Sequence, residues 1–327
     1  MSKVKRSKGL LLIRLTVTLL ALAYVGWKVN EKWDEFPRMF SQPWHAFNWT
    51  LLIVSALLMA VNYGLEAQKW RIMVRPFYPS LKLIPATIAV FAGMAAGVFT
   101  PNRVGEYAGR ILFLKKGKRV EAIVATFVDR ICQLTITLIG GLLAVLGILL
   151  WLDRDLLDKI FGDPVAKTIF ITLSISLSVF VLLLTLMPKQ LAALIPGKWN
   201  RTTWVRKVRF AMQNLDFKLV GKVILLAAIR YFVFSSQYVM LMYAFYYQGN
   251  LIEAYAMVAL IFLGKSVLPV MGVLELGVRE SVALLVMTAF AASELTALGS
   301  TLMLYLINIL LPTLFGVIAM QRIKVYA

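Results

Sequence analysis

The sequence predicts an all-α, polytopic membrane protein built as an inverted repeat, with six full transmembrane helices and two re-entrant helical hairpins, eight hydrophobic elements in all. Three observations lead there. Sixty per cent of the 327 residues are hydrophobic and only 16% are charged, far from the near-half apolar, quarter charged make-up of soluble domains. The apolar residues fall into runs of the ~20 residues that one bilayer crossing needs. The charge is lopsided, with 35 Lys and Arg against 16 Asp and Glu. A soluble cytosolic enzyme is excluded by this make-up, and the single Cys132 and single His45 leave no disulfide framework and no multi-His or Cys-cluster metal site.

Spans are expected at residues 10–27, 49–66, 121–152, 165–187, 223–247 and 295–320, because in hydrocarbon only a helix satisfies its own backbone. Residues 10–27 have a signal-peptide flavour, but Arg14 interrupts the run and apolar residues continue to Trp27, so an uncleaved anchor is expected. Residues 83–114 and 254–290 differ: each is long enough for two short helices and is broken near its middle. The breaks are Thr100-Pro101-Asn102-Arg103-Val104-Gly105-Glu106 and Leu268-Pro269-Val270-Met271-Gly272-Val273-Leu274-Glu275.

Basic residues in short loops set orientation. Lys3, Lys5, Arg6 and Lys8 hold the start of the chain in the cytoplasm, and Lys69, Arg71, Arg75 and Lys82 follow the second span on the same side. If residues 83–114 crossed once, Lys115, Lys116, Lys118 and Arg119 would lie outside, as they would with eight full spans. If the chain turns back at Pro101, they lie inside. The acidic loop with Asp153, Asp155, Asp158 and Asp163 then falls outside, and the basic linker 188–222 inside. A second turn at Pro269, approached from the outer face, leaves Arg322 and Lys324 inside. Both termini are therefore expected in the cytoplasm of a cell-membrane protein.

The element order is span, span, hairpin, span, twice over, giving repeats at 10–152 and 165–320 of opposite orientation within one domain, 1–327. Glu106-x-x-x-Arg110 and Glu275-x-x-x-Arg279 recur 169 residues apart, beside the two proline breaks. Glu at i and Arg at i+4 share a helix face and can pair, which matters where an unpaired charge costs at least ~2.5 kcal/mol. Such pairs also serve simply to hold the turns. Pro101, Gly105, Pro269 and Gly272 are the structural breaks; helix starts freed there suit anions. Arg103, Arg110 and Arg279 are candidate headgroup donors, oriented by Glu106 and Glu275, with Asp129 and Arg130 behind. Arg230, Lys265 and Glu280 are also too deep for loop charges. Residues 196–221 read as a basic amphipathic helix in the inner interface, with Trp204, Val208, Ala211, Leu215 and Leu219 as its apolar stripe. Residues 33–47 read as an outer interfacial segment. The surplus charge follows the positive-inside pattern, so nucleic acid is not an expected partner.

Residues 91–130, with Thr100-Pro101-Asn102-Arg103-Val104-Gly105-Glu106, Arg110 and Val128-Asp129-Arg130, resemble the lysylphosphatidylglycerol synthetase transmembrane, flippase-like family; Pro269, Gly272, Glu275 and Glu280 resemble its second signature. That family often has Glu where this chain has Asp129. The resemblance implies an inner-membrane protein of lipid modification or translocation. These 327 residues hold no counterpart of the aminoacyl-transferase domain fused in bifunctional members, so synthase activity is not carried over. The expectation is a lipid flippase or transporter moving an anionic phospholipid or lipid-linked precursor, with no cofactor or metal, partnered by membrane phospholipids or a lipid-linked intermediate and by a lipid-synthesis enzyme. Two other readings remain: a glycosyl- or phospho-group transferase using a lipid-linked donor, for which Asp153 and Asp155 would be essential, and a scaffold for a separate synthase. A cysteine placed at position 117 should react with membrane-impermeant maleimide only from the cytoplasmic side; labelling from outside would refute the turn at Pro101.

Overall fold

The structure is a computed structural model that describes residues 23, 47–98, 100, 103–115, 117–151, 155–196, 202–267 and 275–321, without the side chains of 275–277. The expected first span, the outer interfacial segment up to residue 46, Pro101, Pro269, Gly272, Asp153 and the two termini lie outside the described residues. The described residues form helices and no strands. Four helices are long and apolar enough to cross a membrane: α1 (Trp49–Val74), α4 (Arg119–Trp151), α6 (Pro164–Leu186), and the continuous rod Glu294–Gln321.

Three of the helices start where the sequence supplies a side-chain cap, at Asn48, Asp163 and Ser293. Asn48 accepts the Leu51 amide at 3.2 Å to begin α1. Asp163 accepts the amides of Val165 and Ala166 ahead of α6, with Pro164 in the first turn, where its missing N–H costs nothing. α1 runs on to Val74, beyond the expected end at Glu66, because nothing in the sequence breaks it before Arg75-Pro76. The basic linker also differs from expectation. Its helix spans only Thr203–Gln213, the chain turns at Asn214, and a new 28-residue helix begins at Phe217. Leu215 is buried in that turn, and the outer end of the expected stripe, Trp204, is 60% exposed.

The stretch 83–114 folds into two helices, α2 (Leu83–Gly97) and α3 (Val104–Ile111). They lie antiparallel and very close, which glycine makes possible. A Cβ at Gly105 would strike the Ala96 carbonyl, and one at Gly109 would lie 2.7 Å from the Ala92 carbonyl and the Gly93 Cα. Thr100 ties the turn: its hydroxyl donates to the Gly97 carbonyl at 2.9 Å and accepts the Gly105 amide at 2.9 Å. Arg103 then starts α3 in the left-handed region, at φ 55°, a conformation that costs an L-residue roughly 1–2 kcal/mol. Tyr78, before the hairpin, donates to the carbonyl of Lys115, after it, at 2.8 Å. The chain thus returns to the end of the bundle from which it set out.

Next come α5 (Asp155–Phe161), α6, α7 (Pro188–Leu194), α8 (Thr203–Gln213) and α9 (Phe217–Ala244). α9 lies antiparallel along α1: Ser55 and Gln237 exchange side-chain to backbone bonds of 3.3 and 2.7 Å, and the Phe47 and Phe245 rings meet at 5.2 Å. α10 (Leu251–Val267) and α11 (Glu275–Ala289) form the second pair of short helices. Thr296 donates to the Phe245 carbonyl at 2.7 Å, so this hairpin also leaves where it began, at the end opposite the Tyr78–Lys115 bond. α12 (Glu294–Tyr305), a π-helical turn at Leu306–Leu310 and α13 (Leu311–Gln321) complete the chain.

The π turn sits just before Pro312. Proline has no N–H for the carbonyl four residues earlier, that of Asn308, and Tyr63 of α1 donates to that carbonyl at 2.6 Å. The Asn308 side chain meets Asn62 at 3.0 Å.

Packing between the halves is reciprocal. α2 lies on α13 as α10 lies on α4; α1 lies on α4 as α9 lies on α12; α1 and α9 pack against each other. Large exposed apolar side chains, including Leu143, Leu150, Leu173 and Phe232, give the bundle an apolar outer surface. Gly109→Leu should force α3 off α2 and destabilise the protein by about 1–3 kcal/mol, seen as an earlier thermal transition in detergent, whereas Gly64→Ala, whose Cβ meets nothing within 4 Å, should leave it unchanged.

Candidate functional site

The hairpin α2–α3 exists at this place because its short second arm carries two ions that must be matched. α3 presents Glu106 and Arg110 on one face, both buried, Arg110 completely. As the i, i+4 spacing requires, Arg110 Nη2 lies 2.5 Å from Glu106 Oε1. The same nitrogen lies 2.6 Å from Glu66 Oε1 on α1, and Nη1 lies 3.8 Å from Asp129 Oδ2 on α4. The guanidinium also stands over the Trp70 ring, 5.7 Å from its centroid, while the indole N–H donates to Thr126 at 2.9 Å.

Glu66 is the centre of this cluster. Besides Arg110 it faces Lys69 Nζ at 3.2 Å, Arg130 Nη2 at 3.4 Å and Arg230 Nε at 3.4 Å. Arg130 pairs in addition with Glu106. Lys69 lies 3.4 Å from Asp129 Oδ1 and donates to Gln133 Oε1 at 3.1 Å. The Asp129 carboxylate accepts no hydrogen bond among the described residues and is held by charge alone. Three carboxylates from α1, α3 and α4 thus meet four cations from α1, α3, α4 and α9. Isolated, each of these ions would carry a penalty of several kcal/mol; together they are compensated.

The sequence-predicted residues divide. Glu106, Arg110, Asp129 and Arg130 come together here. Arg103 is half-buried at the head of α3, with its guanidinium 4.0 Å from Met94 Sδ. Arg279 is buried on α11, outside the cluster. The side chain of Glu275 lies outside the described residues, and Asp155 stands exposed at the start of α5. Lys69, expected among the cytoplasmic loop charges, is wholly buried, because α1 continues past it. Glu66 and Gln133 were not singled out by the sequence; the signal was present as Glu66-x-x-Lys69, an i, i+3 pair ahead of any helix breaker.

Arg230 and Gln133 link the cluster to a cavity of about 330 Å³ between α4, α9, α10 and α11. Arg230 Nη1 donates to Gln133 Oε1 at 3.1 Å. The cavity is lined by three cations, Arg230, Lys265 and Arg279, with Gln133, Thr137 and Ser266 as further polar groups. No carboxylate lines it among the described residues. Chemically, guanidinium and ammonium groups around one volume can hold an anion with several oxygens. Among the described residues no group of His, Cys, Asp and Glu is arranged to hold a metal ion.

Removing one member of the compensated cluster leaves the others buried and unmatched. Glu66→Gln should therefore cost about 3–5 kcal/mol of stability, read as a lowered thermal transition, and Glu66→Asp should recover part of it.

No curated protein and no solved structure matches the chain. The family model described as "Lysylphosphatidylglycerol synthase TM region" matches residues 11–316, nearly the whole sequence. The chain is therefore a multi-pass helical membrane protein belonging to the family of the lysylphosphatidylglycerol synthase transmembrane region.

Proposed function

We propose that this protein is a lipid transporter of the cell membrane, moving an anionic phospholipid or a lipid-linked precursor between leaflets. The observation that carries the reading is the cavity lined by Arg230, Lys265 and Arg279. Three cations around one volume among membrane helices can fork onto the oxygens of an anionic headgroup. The two ion-bearing hairpins, rooted at opposite ends of the bundle, support a re-entrant topology in which each dips into the bilayer from its own face. Reciprocal packing of the halves supports an inverted repeat, the plan on which many transporters alternate access around a fixed central site.

Charge at the two ends supports the orientation. Arg75, Lys82, Lys115, Lys118, Arg206 and Lys207 belong to loops and helices at the Tyr78 end, where the Phe77 and Phe210 rings meet at 6.4 Å. Asp155, Asp158, Asp163, Glu253 and Glu294 belong to the opposite end. By the positive-inside rule the first end is cytoplasmic. In this reading the Glu66 cluster is the rigid side of the site: Arg110 orients Glu106 and Glu66, and Glu66 and Gln133 in turn aim Arg230 at the cavity. Arg279, on the second hairpin, is the cation that moves as one repeat rocks against the other. Arg103 at the first hairpin's turn is a further headgroup donor.

The test is reconstitution into liposomes with a panel of fluorescent phospholipids. Arg279→Gln and Lys265→Gln should each slow transport of anionic lipid by about tenfold or more, a loss of ~1.4 kcal/mol of binding per variant, with normal membrane insertion. Full activity in both variants would overturn the reading.

A further inference from the structure

The cation-lined cavity does not stand alone. Tyr231 lines it, and Tyr231 also lines a second, larger crevice of about 430 Å³ that continues along the seam of α4, α9 and α10 toward the end of the bundle marked by Trp151 and Asn250. The crevice has a sequence cause. On α4, Gly140, Ala144 and Gly147 recur at i, i+4 and i+7; on α10, Ile252, Ala256 and Ala259 repeat the spacing. Small residues at such spacing ordinarily let membrane helices close up. One flank does close, since a Cβ at Gly141 would lie 2.5 Å from that of Leu263. The other flank stays open, and a Cβ at Gly147 would meet nothing within 4 Å. At the inner end a Cβ on Gly140 would lie 2.6 Å from the Tyr231 hydroxyl, which marks the floor where the apolar crevice gives way to the polar cavity.

We infer that crevice and cavity together form one amphipathic slot for a single anionic phospholipid: its phosphate lies among Arg230, Lys265 and Arg279, and one of its acyl chains lies in the crevice. The inference rests on the transport reading for its purpose but not for its chemistry. A free anion would need only the cavity. An apolar ligand would need only the crevice, whose mouth is framed by the outward-facing Leu143, Phe232 and Ile252, 63%, 63% and 73% exposed. Tyr231 walls both, so a molecule that occupies the two adjoining spaces is anionic at one end and aliphatic at the other. The crevice is a single seam between α4, α9 and α10, so it takes one chain of a two-chain lipid, while the second chain stays in the surrounding bilayer.

The experiment uses the full chain in phosphatidylcholine nanodiscs containing a trace of phosphatidylglycerol that carries a photoactivatable diazirine in one acyl chain, with crosslinks mapped by mass spectrometry. Crosslinks should concentrate in residues 140–151 and 252–259. Excess unlabelled phosphatidylglycerol should lower them about tenfold, while inorganic phosphate and additional phosphatidylcholine should not. Gly147→Leu, which fills the slot without a clash, should lower them about tenfold at an unchanged thermal transition, and Arg279→Gln should remove the preference over phosphatidylcholine. Labelling spread evenly over the lipid-facing surface of α6, undiminished labelling in Gly147→Leu, or displacement by phosphate alone would each overturn the slot. If Gly147→Leu labels and transports as the parent protein does while Arg279→Gln does not transport, the slot falls and the transporter stands. If the slot labels as expected but no phospholipid is moved, the transporter falls and the slot stands.

Discussion

One carboxylate organises the interior. Glu66 faces Lys69, Arg110, Arg130 and Arg230, which belong to α1, α3, α4 and α9, all within 3.4 Å. Water is not at hand inside a membrane bundle to screen a charge, so each of these ions is tolerable only in the company of the others. That requirement fixes how far α3 reaches into the bundle, which face of α4 turns toward α1, and the height at which α9 crosses. The apolar packing between helices is permissive by comparison, because lipid tails solvate a leucine as well as another leucine does. Ionic matching supplies the register that apolar contact cannot.

The second requirement is that no backbone group goes without a partner. The hairpin turn meets it with Thr100, which both donates to Gly97 and accepts from Gly105, and with glycines that let two helices lie backbone to backbone. Close approach then brings Glu106 and Arg110 within reach of Glu66. The route from residues to site is thus short: Gly105 and Gly109 permit contact with α2, contact directs one face of α3 inward, and that face carries the ions.

Much of this was legible in the sequence. The starts of α1, α6 and α12 lie within one residue of where hydropathy places them, since Asn48, Asp163 and Ser293 cap them. The antiparallel α2 and α3 follow from a break at Thr100–Gly105, and the Glu106–Arg110 pair from its spacing. Glu66 and Lys69 were not legible in the same way. A hydropathy reading ends a span at the first ionic pair, whereas the helix ends only where Pro76 removes a donor. The partners of Glu66 on other helices lie 44 to 164 residues away in sequence, as Arg110 and Arg230 do, and no local pattern announces such a meeting. The two-part linker was missed for a related reason. Asn214 stops α8 inside an unbroken amphipathic period, and burial of Leu215 in the turn decides the matter.

The final rod is made of two pieces joined at a gap in its own ladder. Because Pro312 withholds an amide, the Asn308 carbonyl is bound by Tyr63, three residues from Glu66 on α1. The joint is therefore tethered from outside. The tether runs to the same helix that carries the charged hub, so the joint in the last rod is held against the helix that seats the buried ions.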